Sequence, residues 1–100
     1  MKWLNLDLIK QHLRIEPDFH DEDLLLVGYG EDAEELVLTI CNRTLEDIVG
    51  NYGKVPAPLI QASLLLVATS YEHRETVSQQ NLYMVPYAFD IRIKPYMKLT

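Results

Sequence analysis

Apolar residues recur along most of the chain at helical spacing, and the breaks between blocks are marked by proline, glycine and acids. Residues 5 to 13 carry Leu6, Ile9 and Leu13 about a turn apart, with Asn5 in front as an N-cap and Asp7 in the first turn, where the helix dipole favours an acid. Arg14-Ile15-Glu16-Pro17 closes this short helix, because a residue before proline is pushed out of the helical region. A polar junction, Asp18 to Asp23, follows, with Asp21 expected as the next N-cap.

From there to Asn42 the stripe Leu25, Leu26, Tyr29, Ala33, Leu36, Val37 and Ile40 stays within a narrow arc and predicts a long amphipathic helix. Gly28 and Gly30 sit inside it, each costing about 1 kcal/mol relative to alanine. They imply close approach of another backbone or a kink. Thr44-Leu45-Glu46-Asp47 looks like the cap of one extra turn reaching Val49, and Gly50 to Gly53 is a turn.

The most apolar block runs from Val55 to Glu75. Pro58 suits a first helical turn, and Leu59, Ile60, Leu64, Leu65, Leu66, Val67, Ala68 and Tyr71 cover nearly the whole circumference. This is the pattern of a central helix buried on all sides. Residues 76 to 85 are polar and aperiodic, which suits a loop or an extended arm. Pro86 starts a last short helix through Ala88, Phe89, Ile91, Ile93 and Tyr96, ended near Pro95. The expected architecture is an all-α bundle, short-long-long-short, with a central apolar helix and a polar arm before the last helix, forming a single domain over residues 1–100.

Composition adds limits. One hundred residues, 48% of them hydrophobic and 24% charged, suffice for one core and leave no room for a large cleft with a cofactor. The net charge is -6, and nine of the fifteen acids lie between Glu16 and Glu35, a window without Lys or Arg. Arg92, Lys94 and Lys98 stand against Asp90 alone near the C-terminus. Phosphate neutralisation by a basic patch is therefore disfavoured, as is a helix-turn-helix DNA reader. A polarised chain suits contact with copies of itself. No signal peptide is visible, and the longest apolar run is five residues, against roughly 20 for a membrane span. The lone Cys41 excludes an internal disulfide and a cysteine zinc site, so a soluble protein of a reducing compartment is expected.

Candidate chemistry is sparse. His12, His20 and His73 lie on separate elements without metal-ligand spacing. Asp18 to Asp23 lacks the glycine and closing glutamate of a calcium loop. Ser63, Ser70 and Ser78 have no nucleophile-elbow context. No catalytic, cofactor or metal site is expected. On the second helix, Val27, Glu31, Glu34 and Leu38 share a face placed opposite the core stripe, a solvated face or the rim of a subunit contact.

The ordered set His12-Leu13-Arg14-Ile15, the acidic stretch 18 to 23, Val55-Pro56-Ala57-Pro58-Leu59, Gln61-Ala62, Leu64-Leu65-Leu66-Val67-Ala68, Tyr71-Glu72-His73-Arg74-Glu75, Val85-Pro86-Tyr87 and Pro95-Tyr96 resembles the small head-tail connector proteins of long-tailed bacteriophages and prophages. The resemblance covers almost the whole chain. It implies a non-enzymatic structural subunit of the virion, made in the host cytoplasm, that assembles into a ring, commonly dodecameric. Such a ring docks below the portal, meets a tail-side completion protein and passes DNA as transiting cargo, with no membrane involved. Subunit contacts are expected at Val27, Glu31, Glu34 and Leu38 on one side and Arg74, Arg92 and Lys94 on the other. Val77, Gln79, Gln80, Asn81, Leu82, Tyr83 and Met84 form the expected partner-binding arm. The rival reading is a helical protein-protein interaction module or small regulator acting as a dimer.

Overall fold

The computed structural model describes residues 1–72 and 91–97. These form four helices, α1 (Leu6–Leu13), α2 (Asp23–Cys41), α3 (Leu45–Tyr52) and α4 (Ala57–Glu72), and residues 91–93 are helical and run into a closing 3-10 turn, Lys94–Tyr96. The protein is all-α, and no strand occurs among the described residues. The expected arm and the start of the last helix lie outside them, as do Arg74 and Val77 to Met84.

Local signals explain the starts. Asn5 accepts from the Leu8 N–H at 2.8 Å, and Thr44 accepts from the Asp47 N–H at 3.1 Å, so both short helices begin where a side chain satisfies an orphan donor. Pro58 occupies the first turn of α4.

Three details differ from expectation. α1 stops at Arg14, whose left-handed backbone (φ 61°) lets the Ile15 N–H reach the Lys10 carbonyl, so the helix ends on its own cap before Pro17 acts. Glu22, and not Asp21, is the N-cap of α2. α3 continues past Val49 to Tyr52 because Asn51 Nδ2 donates back to the Asp47 carbonyl and carboxylate, both at 2.9 Å. Gly53, at φ 77°, ends it.

α2 and α4 run antiparallel. Val37 and Cys41, late in α2, pack with Leu59 and Ala62, early in α4, together with Ile48 and Ile93. Leu26 and Ala33 pack with Leu64 and Val67, and α1 adds Ile9 to that half while Leu4 closes it. Each fully buried aliphatic side chain stabilises the fold by about 1.5–3 kcal/mol. α4 is the shared wall of both halves, as its apolar circumference predicts.

The buried face of α2 is turned from the expected one. Leu26, Gly30, Ala33, Glu34, Val37 and Cys41 are inside, whereas Leu25 and Ile40 are exposed. At 100° per residue this is a rotation of about 70°.

Candidate functional site

The rotation has a chemical cause. Glu34 is completely buried, and its carboxylate is capped by the N-terminal segment. Lys2 N–H donates to Oε1 at 2.8 Å and to Oε2 at 2.9 Å, while Trp3 N–H and Leu4 N–H donate to Oε2 at 2.8 Å each. Three successive backbone donors form a concave anion cradle that replaces the water a buried carboxylate loses. Gly30, one turn earlier, makes room: a Cβ there would collide with the Met1 sulfur and lie 3.0 Å from Ile9 Cδ1. Trp3 then donates from Nε1 to the buried Ser63 Oγ at 3.0 Å, and Ser63 donates to the Leu59 carbonyl at 2.8 Å. Residues 1–4 are thereby fastened to both long helices.

This corrects the expected subunit-contact face. Glu34 belongs to the interior and cannot meet a neighbour. Val27 and Leu38 are half-buried, and Leu38 packs on the core beside Val37. Of that set, only Glu31 is exposed. The outermost strip of α2 is instead Leu24, Gly28, Glu31 and Glu35, at i, i+4, i+7 and i+11, with Asp32 alongside. Leu24 is 88% exposed. Sequence patterning missed this strip because it assigned Leu25 and Ile40 to the core and left no reason to single out Leu24.

A second fastening sits at the other end of α2. Arg43 donates from Nε to the Tyr96 carbonyl and from Nη1 to Asp47 Oδ2, both at 2.8 Å, and lies over the Tyr52 ring at 5.9 Å. Tyr52 and Tyr96 meet edge to face, 5.3 Å between centroids. Lys94 is exposed, Arg92 is half-buried and engaged, and Lys54 is exposed two residues beyond Tyr52. An open groove of about 620 Å³ runs beside this corner, bordered by Lys2, Glu35, Leu38, Arg43 and Asp47.

At the opposite end, the buried Lys10 ammonium pairs with Asp23 Oδ1 at 2.8 Å and donates to the Phe19 carbonyl at 2.7 Å, fixing the acidic loop to the first turn of α2. His20 Nδ1 pairs with Asp23 Oδ2 at 2.8 Å. The Lys10 hydrogen bond first, and His20 second, hold the Asp23 carboxyl below the usual carboxylate range. Tyr71 donates to Glu22 Oε1 at 2.8 Å, tying the end of α4 to the start of α2.

His12 is half-buried on α1, His20 is held by Asp23, and His73 lies outside the described residues. No group of three or more metal-ligating side chains occurs among the described residues. Burial pushes the Cys41 thiol up, away from a reactive thiolate.

The family model described as phage gp6-like head-tail connector protein matches residues 4–96. The chain belongs to that family. No curated protein and no solved structure matches it. The family is one of structural phage proteins, and the resemblance read from the sequence agrees with it. No helix among the described residues of this connector is long and apolar enough to cross a membrane.

Proposed function

We propose that this connector is a ring-forming adaptor of the virion that docks on the portal, joins head to tail and lines part of the channel through which DNA passes. Membership of the connector family across residues 4–96 carries this reading. The net charge of -6 supports it, since an acidic chain has low affinity for phosphate. DNA then slides past without adhering.

In this reading Glu31 belongs to the acidic side of the subunit contact, and Lys94, with Arg92 and Arg74, to the basic side. Val27 and Leu38 contribute their half-exposed edges. Residues 76 to 85, with Leu82, Tyr83 and Met84 as apolar anchors, reach the portal or the tail-side protein. Electron microscopy of the purified chain, alone and mixed with its portal, tests the proposal. Closed rings coaxial with the portal are expected; a monodisperse monomer or dimer that leaves the portal bare in both samples would remove it.

A further inference from the structure

α2 contains two glycines, and the fold requires one. Gly30 is crowded by Met1 and Ile9, whereas a Cβ at Gly28 would meet nothing within 4 Å. Gly28 therefore weakens an exposed helical turn without any benefit inside the chain. It stands one turn from Leu24, whose side chain is almost wholly in water. An apolar anchor beside a position without a side chain is a surface that another backbone can approach closely. Phe19, 41% exposed, is held at the same end by the Lys10 bridge between its carbonyl and Asp23.

The charges around this strip are mostly acidic: Glu16, Asp18, Asp21, Glu31 and Asp32 are exposed there, against Arg14 and against Lys2, which pairs with Glu35 at 2.6 Å. The opposite end of α2 has the complementary character. Tyr52 and Met97 are 42% and 41% exposed beside the Tyr52–Tyr96 contact, and Lys54 and Lys94 are exposed next to them. Neither lysine takes part in an ion pair of the described residues. Asp47 is neutralised there by Arg43, leaving Glu46 as the exposed acid of α3's first turn.

We propose that the strip Leu24, Gly28 and Glu31, with Phe19 beside it, docks on the Tyr52–Tyr96 corner of a second copy of this chain, where Lys54 and Lys94 receive its acids. The two surfaces differ and lie roughly 25 Å apart along α2 at 1.5 Å per residue. Each copy therefore uses both, and the contact is heterologous, running head to tail. A two-fold dimer through the strip would set its acids against the same acids of the second copy. The inference rests on the ring reading and assigns the surfaces that would build it.

Cysteines introduced singly as Asp21→Cys and Met97→Cys test the contact, since the native Cys41 is buried and unreactive. A short bismaleimide is expected to cross-link the mixture of the two variants at high protein concentration, and neither variant to itself. Adding Leu24→Asp, or Gly28→Gln, lowers the yield by on the order of tenfold, while Gly28→Gln melts no lower than the parent. Self-linking of Asp21→Cys overturns the proposal in favour of a two-fold dimer. A mixture that links no better than one pairing Asp21→Cys with Gln11→Cys overturns it outright. Imaging the same samples with the portal separates the two readings: closed rings without the mixed cross-link discard these surfaces and keep the ring, whereas a cross-linked pair in samples that show no closed ring supports the surfaces and discards the ring.

Discussion

Glu31 and Glu34 stand one turn apart on one helix, with the same side chain and opposite fates. Glu34 is sealed under three backbone N–H groups, and Glu31 points into solvent. Gly30 and Gly28 repeat the contrast, the first enclosing Met1 and the second facing open space. The inner members of both pairs act on folding, because they place the N-terminal segment. The outer members have no such task within the described fold. Residue type alone does not divide α2 into a buried face and an exposed one; what backs each residue does.

The largest expected effect is at Glu34. Glu34→Ala leaves the N–H groups of Lys2, Trp3 and Leu4 without their acceptor and lowers stability by about 3 kcal/mol or more. Glu34→Gln retains one carbonyl acceptor and loses less. Charge reversal at Glu31 leaves stability within about 0.5 kcal/mol of the parent, as surface substitutions do. Urea unfolding of the three variants reads the contrast directly, and a Glu34→Ala variant as stable as its Glu31 counterpart would break it. Ser63→Ala extends the same logic one step inward. It removes the acceptor of Trp3 Nε1 and the donor to the Leu59 carbonyl, for a loss of about 1–2 kcal/mol, visible in the melting curve.

The glycine pair is the next effect in size. Gly28→Ala gains about 1 kcal/mol from helix propensity, because nothing obstructs the new methyl. Gly30→Ala gains the same propensity but forces Met1 and Ile9 aside, and overpacking of that kind costs about 1–3 kcal/mol. The two melting temperatures should therefore separate, Gly28→Ala above the parent and Gly30→Ala at or below it. Equal shifts would mean that Met1 yields freely and that Gly30 is no more structural than its neighbour.

Much of the fold was legible because its signals are local. Asn5 and Thr44 cap the helices that their sequence context predicts, Pro58 lies in the first turn of α4, and the apolar circumference of that helix places it between the others. The face of α2 was not legible. A hydrophobic pattern scores Glu34 as polar and Gly30 as neutral, and the partners that bury them are backbone donors and a methionine some thirty residues upstream. Lys10 escapes in the same way, since a lysine only 3% exposed is stabilised by the Phe19 carbonyl and Asp23, which no periodicity reports. Arg43 is the C-terminal parallel, reaching Tyr96 across 53 residues. The available hint was the apolar trio Met1, Trp3 and Leu4 ahead of a capped helix, which needed something to cover.

Asp23 lies where the two faces of α2 meet, one carboxylate oxygen on buried Lys10 and the other on exposed His20, and its contribution is the smallest and the most dependent on pH. Because its carboxyl is held below the usual range in the folded chain, the folded state resists protonating it more than the unfolded state does. The resulting stability is complete above the ordinary carboxylate value and drains as the pH falls from there through the lower folded-state value. Asp23→Asn removes that drain. Thermal melts from neutral pH downward should show the parent above the variant at neutral pH, the gap shrinking once the medium passes below the usual carboxylate range. The absence of a gap at neutral pH would mean that Lys10 and the Phe19 carbonyl hold the loop by themselves, and a gap that stays constant into acid would mean that the ionised form of Asp23 contributes nothing.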